Sequence, residues 1–263
     1  MLSNANTAVT VRDVSKRYRL RAGRGQELKT TLLSLPAAIF RRKPAGTKDF
    51  WALQDVSFTL QRGECLGITG PNGSGKSTLL RIIAGITHPT SGRVVANGRV
   101  SALLELGAGF HPQMTGRDNA LLNAVLLGLS LDEAHEALPS IFEFAELGDF
   151  IEQPMRTYSS GMLIRLGFAV AVHVQPEILL IDEVLAVGDA EFQSKCFNHI
   201  RRLREDGVTI IMASHDLPSI QKYTDRAMLL EHGHIVLEGK PAQVLHEYLT
   251  RVFGKEEVAE ITQ

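Results

Sequence analysis

Apolar positions along the chain change their spacing in ways that divide it into elements. Val9 and Val11 alternate with polar neighbours and Val14 follows, which predicts an opening strand. The basic stretch up to Lys48 then interrupts the pattern. A second strand is predicted over Trp51-Ala52-Leu53-Gln54-Asp55-Val56-Ser57-Phe58-Thr59-Leu60, closed by the turn Gln61-Arg62-Gly63. Cys65-Leu66-Gly67-Ile68-Thr69 is a short apolar run before a glycine-rich turn, the pattern of a buried strand. A helix is predicted from Lys76 to about Ala84, with short strands around Arg93 to Ala96 and Val100 to Leu104.

From about Gly116 to Val172 the chain is rich in Leu, Ala and Glu at helical spacing and poor in strand signals. This predicts a helical insertion with limits of about 107–172. After Pro176 the alternation of strand and helix resumes. Ile178-Leu179-Leu180-Ile181 reads as a buried strand, and a helix after Asp189 carries Phe192, Cys196, Ile200 and Leu203 on one face. Val208-Thr209-Ile210-Ile211-Met212 is another buried strand. Strands alternating with helices imply a parallel sheet covered on both sides, so the fold class is α/β. One domain over 1–250 is expected, with a short, loose, charged tail over 251–263 and no internal repeat.

Composition adds limits to this picture. With 44% hydrophobic and 22% charged residues the chain matches an ordinary globular protein. No run reaches the roughly 20 apolar residues of a membrane span. The start, Met1-Leu2-Ser3-Asn4-Ala5-Asn6, lacks the basic end and apolar run of a signal peptide, so a cytoplasmic location is expected. Cys65 and Cys196 stand far apart and are expected to be buried thiols in a reducing compartment. The net charge of −1 hides an asymmetry: residues 12 to 48 hold eleven Lys and Arg against only Asp13 and Glu27, a local +9. Such a segment implies an anionic surface nearby, either nucleic acid or lipid headgroups.

The glycine-rich turn carries the candidate chemistry. Gly70-Pro71-Asn72-Gly73-Ser74-Gly75-Lys76-Ser77 fits the phosphate-loop pattern G-x-x-x-x-G-K-[ST]. Its glycines let backbone N–H groups point inward at phosphate oxygens, and the helix that follows adds its positive end. Lys76 then neutralises the β- and γ-phosphates, and Ser77 offers its hydroxyl to Mg²⁺; Thr78 completes the set. The apolar strand Ile178 to Ile181 ends in Asp182-Glu183. Alone it is an ordinary strand with a solvated acidic turn. Paired with a phosphate loop, Asp182 reads as a Mg²⁺ ligand, mostly through water, and Glu183 as the group that polarises the attacking water. Nucleotide and magnesium, ATP and Mg²⁺, are the cofactors these residues imply.

A third piece is more selective. Tyr158-Ser159-Ser160-Gly161-Met162 precedes a helical run and stands shortly before the Asp182-Glu183 strand. Here the chain resembles the ABC ATPase family, whose signature reads Leu-Ser-Gly-Gly-Gln. Ser159 and Gly161 match, while Tyr158, Ser160 and Met162 depart. The resemblance implies a phosphate-loop NTPase core with an antiparallel β subdomain and an inserted helical subdomain. It also implies that Ser159, Ser160 and Gly161 cap the γ-phosphate bound to an opposite subunit, using helix N–H groups and the helix dipole. His215 in Ser214-His215-Asp216 matches the family's switch histidine, and Asp189 its dimer-crossing aspartate. Tyr18 aligns with the aromatic that stacks on adenine, with Trp51 as a rival. Where most members carry a Mg²⁺-reaching glutamine, ungapped alignment of Val100 to Glu105 puts Glu105. Glu105 either ligates the metal or only begins the coupling loop.

Since the signature cannot reach its own chain's nucleotide in this family, a homodimer with two ATP molecules between its subunits is implied. Leu103-Leu104-Glu105-Leu106-Gly107-Ala108-Gly109-Phe110-His111-Pro112 and Thr115-Gly116-Arg117-Asp118-Asn119 look like the ATPases that export lipid-linked polysaccharides: O-antigen, capsule and teichoic acid systems. That likeness implies a separate transmembrane permease, a lipid-linked glycan as cargo, a peripheral place on the cytoplasmic face of the membrane and no nucleic-acid partner. Lipid or drug export is the nearer alternative, and a non-transport ABC ATPase acting on nucleic acid the more distant one. In the basic insertion, about 20–48, Leu28, Leu32, Leu35 and Ile39 recur at helical spacing before Arg41-Arg42-Lys43. An amphipathic basic piece of this kind fits a membrane surface near an anionic headgroup. No appended carbohydrate-binding β-sandwich is expected after Tyr248 and Leu249.

Overall fold

The computed structural model describes residues 6–21, 47–104, 107, 109–182 and 189–254. Two sheets share the work. The first is antiparallel: β1 (Thr7–Arg21) lies between β2 (Thr47–Gln61) and β4 (Ser91–Ala96). The second runs in the order β5 (Val100–Leu103), β6 (Ile178–Ile181), β7 (Thr209–Ala213), β3 (Cys65–Thr69), β8 (Arg226–Glu231) and β9 (His234–Gly239). Its neighbours are parallel except at the edge, where β8 and β9 form an antiparallel hairpin.

Alternation along the central strands sorts their side chains onto two cores. Leu66 and Ile68 of β3, Leu180 of β6 and Ile211 of β7 pack with Leu79, Leu80 and Ile83 and with the antiparallel sheet. Cys65, Leu179, Ile181, Ile210 and Met212 pack on the other side. All five residues of β3 are buried, as the uninterrupted apolar run demands. α1 (Lys76–Ile83) covers the first face. The second is covered by α4 (Ser160–His173), α5 (Ala190–Glu205) and α7 (Pro241–Phe253), with α6 (Leu217–Tyr223) beside them.

The helical insertion comprises α2 (Gly116–Leu126), α3 (Leu131–Ala145), two short 3-10 turns (Gly148–Glu152 and Met155–Thr157) and α4. Thr115 with Asp118, and Ser130 with Glu133, form reciprocal capping boxes that start α2 and α3. α3 ends where Glu146 turns left-handed at φ 54°. Among the described residues no helix is long and apolar enough to cross a membrane.

Two features differ from the sequence-based expectation. β1 continues through the basic residues to Arg21, well past Val14, because β2 pairs with it as far as Arg21↔Thr47. Arg17 and Asp49 form a 3.0 Å ion pair across the ribbon. Cross-strand pairing outweighs the polar composition there. The edge hairpin β8–β9 and the helices α6 and α7 add elements that the apolar pattern had not marked. The 22–46 part of the basic insertion lies outside the described residues, as does 255–263 of the expected loose tail; the start of that tail is not loose, because α7 continues through Arg251 to Phe253.

Candidate nucleotide site

β3 delivers the chain to the glycine-rich loop at the centre of the parallel sheet, and α1 carries it away. Gly75 caps α1 in a left-handed conformation, φ 112°, with no side-chain cap. A Cβ there would lie 2.4 Å from the Ala52 carbonyl oxygen and 2.8 Å from the Leu53 side chain, so only glycine fits. The loop is also strapped from outside. Gly233 in the β8–β9 turn donates its N–H to the Ser74 carbonyl at 3.0 Å, and the Gly233 carbonyl accepts from Gln54 of β2 at 2.9 Å. Both sheets therefore hold the loop.

Inside the curl, Lys76 is buried and its ammonium donates to the carbonyls of Gly70 at 2.8 Å and Pro71 at 3.3 Å. The Ser74 hydroxyl is fully buried and has no hydrogen-bond partner in the structure. An orphaned buried hydroxyl and a buried cation at an uncapped helix N-terminus have the chemistry to take up a phosphate group. Asn72 and Gly73 form its exposed tip, and Ser77 and Thr78 follow, half-buried, in the first turn of α1.

The strands beside β3 bring further groups to the same end of the sheet. β7 lies between β3 and β6, so Ser214 and His215 after β7, and Asp182 after β6, stand in succession beyond the strand ends. Ser214 donates its N–H to the Ile68 carbonyl of β3 at 3.1 Å. A cavity of about 250 Å³ is lined by Asp182, Ser214, His215, Asp216 and Gln193 among others. Gln193 of α5 was not among the sequence candidates, and no motif marks it. Ser77 and Asp182 supply hard oxygen donors of the kind magnesium takes. Among the described residues no three His, Cys, Asp or Glu side chains cluster. Glu105 and Glu183 lie outside the described residues.

The two adenine-stacking candidates are adjacent in the β1–β2 ribbon. Tyr18 pairs with Phe50, and Arg17 with Trp51, so Tyr18 and Trp51 project from opposite faces. Lys16 places its ammonium 5.2 Å from the Tyr18 ring centre, and the Arg17 guanidinium lies 5.4 Å from that of Trp51.

The signature segment lies at the N-terminus of α4. Ser159 is the cap and accepts the Met162 N–H at 3.3 Å; Ser159 and Ser160 are exposed and Gly161 is half-buried. The departure at Tyr158 has a packing explanation. Its hydroxyl donates to the Phe150 carbonyl at 2.6 Å and presses on Gly116, where a Cβ would sit 2.0 Å from that oxygen. Asn119, fully buried, accepts from the His111 N–H at 2.6 Å and donates to carbonyls of residues 111, 114 and 115, clamping the loop in front of α2. This clamp gives the Thr115-to-Asn119 stretch a structural role that the sequence alone did not reveal.

Asp189 caps α5, accepting the Phe192 N–H at 2.9 Å, and pairs with Arg165 of α4 at 2.5 Å. The Phe192 N–H first, then Arg165, hold its carboxyl below the usual aspartate range. Cys65 and Cys196 are buried, and burial pushes both thiols up to about 12.

Comparison with known proteins agrees with this geometry. The family described as ABC transporter matches residues 53–186. An O-antigen export system ATP-binding protein from Myxococcus xanthus is 44% identical over 92% of this chain and 55% of its own length. A teichoic acids export ATP-binding protein from Listeria innocua is 40% identical over 92% of this chain and 70% of its own length. The chain thus spans little more than half of the Myxococcus protein, and 66% of another relative. A solved dimeric ATP-binding cassette, in a post-hydrolysis state bound to ADP and Pi, superposes with a TM-score of 0.69 at 23% identity, covering 89% of this chain and 98% of the other. The matched segment runs from Leu53, beside the phosphate loop, through the signature helix and β6 to residue 186, just past Asp182, and with it the chain belongs to the ABC transporter family.

Proposed function

We propose that this chain is the ATP-hydrolysing subunit of an exporter that moves a lipid-linked polysaccharide across the cytoplasmic membrane. The observation that carries the nucleotide-binding part is the cradle around the phosphate loop: buried Lys76, orphaned Ser74 and an uncapped α1. The names of the O-antigen and teichoic acid relatives support the choice of cargo, as does the Leu103-to-Pro112 stretch. The partner would be a separate permease, with the chain held peripherally on the cytoplasmic face.

In this reading Lys76 exchanges the Gly70 and Pro71 carbonyls for phosphate oxygens, and the N–H groups of Gly73 to Ser77 orient the triphosphate. Ser77 and Asp182 would hold Mg²⁺, with Glu105 a further candidate; when bound, the ion offsets charge on the phosphate oxygens. Glu183 takes the proton of the attacking water, and His215 contacts the terminal phosphate. Either Tyr18 or Trp51 stacks on adenine. Two chains pair head to tail, so that Ser159, Ser160 and Gly161 of one close over the nucleotide of the other, and Asp189 crosses the same interface. N–H donors aimed at developing charge contribute about 3 kcal/mol each. Closing on ATP and opening after hydrolysis is the mechanical output.

Glu183→Gln separates binding from chemistry. The variant should bind ATP, accumulate as a closed dimer in size-exclusion chromatography and lose turnover by about 10²-fold or more. Ordinary turnover would remove Glu183 from the catalytic role. Cargo is tested separately, by identifying the glycan that accumulates on its lipid carrier when the chain is deleted.

A further inference from the structure

Four charged side chains of alternating sign cross the junction of α3, α4 and α5. Arg165, on α4 and six residues beyond Ser159, divides its guanidinium between Asp189 at 2.5 Å and Glu146 at 3.3 Å. The same guanidinium lies 4.6 Å from the centre of the Phe192 ring. Glu146, at the left-handed end of α3, also pairs with Lys195 of α5. Lys195 in turn donates to the Phe144 carbonyl at 3.0 Å. Beneath these charges Phe144, Phe168 and Phe192 pack with ring centres 5.7 to 6.1 Å apart. The Arg165 side chain is only 21% exposed although both of its carboxylate partners are more than half open.

We infer that Arg165 is a positioning residue for hydrolysis: it locks the signature helix to Asp189 within one chain, so that both are presented to the partner chain's nucleotide as one rigid piece. This rests on the head-to-tail dimer proposed above. A planar fork that stacks on an aromatic ring while addressing two carboxylates sets distance and angle together, which a flexible ammonium cannot do. Half-open ion pairs contribute little to stability, so the consequence lies in geometry. Signature donors and Asp189 act on the same nucleotide, and a shift of about 1 Å between reacting groups costs about 10²-fold in rate.

The test uses full-length chains with different tags, co-purified as mixed dimers and assayed for ATP turnover. The reference pairs Lys76→Ala with wild type, leaving one competent phosphate loop. In the first mixture Arg165→Ala pairs with Lys76→Ala; the competent loop faces an intact Arg165, and turnover should match the reference. In the second, one chain carries both substitutions and pairs with wild type. Its partner's competent loop now faces the altered chain, and kcat should fall about 10- to 100-fold with KM for ATP changed less than about twofold. Arg165→Lys in that same chain should recover little of the loss. Equal turnover in both mixtures, or loss confined to the first, overturns the inference. Pairing Lys76→Ala with Ser159→Arg checks the parent reading, because turnover there requires a signature supplied in trans. Its absence would overturn the dimer reading itself, whereas its presence beside equal mixtures would overturn only the role of Arg165.

Discussion

The phosphate loop and the signature segment both lead into helix N-termini, and the two are built in opposite ways. At α1 the cap is Gly75, which offers no side chain to the first N–H groups, and Lys76 is buried. At α4 the cap is Ser159, whose own hydroxyl takes up a helix N–H in open solvent. One terminus is enclosed by β2 and by the turn between β8 and β9. The other faces outward. An enclosed terminus can hold a ligand with parts of a single chain; an outward one is open to a second chain. The contrast supports a catalytic centre divided between two subunits.

The strongest way to break this contrast is to fill the enclosed end. Gly75→Ala drives a methyl group into the Ala52 carbonyl from a backbone angle that alanine disfavours. It should cost about 3–5 kcal/mol of stability and abolish nucleotide binding. Urea unfolding and a fluorescent-nucleotide titration measure the two effects. A variant that binds nucleotide normally would show that β2 does not confine the loop.

The outward end is sharpened by a milder pair. Gly116→Ala should destabilise by about 1–3 kcal/mol, since the new methyl meets the Tyr158 hydroxyl. Tyr158→Leu removes the obstacle along with one hydrogen bond, and a double-mutant cycle should show coupling of about 1–2 kcal/mol in the relieving direction. Additive effects would mean that Tyr158 and Gly116 do not constrain one another.

The smallest effect concerns the aromatic layer beneath Arg165. His173 and His199 have ring centres 5.0 Å apart, and burial is the main reason that both titrate below the ordinary histidine value. Lys195 lowers His173 further; His173 and Arg202 lower His199, against the Val172 carbonyl and Asp206. The unfolded chain therefore takes up protons first. Stability from these rings is fully present above the unfolded value near 6.5, and is lost as pH falls from there through the folded values. The urea midpoint should drop between pH 7.5 and pH 5.5, and the drop should shrink in His173→Asn/His199→Asn. An unchanged pH slope in that double variant would assign the dependence to other groups.

Much of the enclosed site was legible along the chain. The apolar run of β3 and the boundary at Lys76 coincide with what the spacing predicts, because a buried strand and a phosphate loop impose strong local demands. The buried stripe Phe192, Cys196 and Ile200 of α5 follows from helical periodicity in the same way. The continuation of β1 among basic residues was hidden, since its stability comes from a partner strand distant in sequence. The strap from Gly233 to Ser74 was equally hidden, for a turn after β8 carries no sign of which loop it will touch.

By itself the sequence determined where phosphate chemistry could occur, for glycine conformations, a lysine at the head of a helix and a carboxylate after a buried strand are read within a few residues. Only the tertiary structure decided that Tyr158 requires Gly116, that Asn119 clamps its loop, and that Arg165 joins α4 to Asp189. Those pairings depend on through-space distances between segments brought together by packing, and no local rule encodes them.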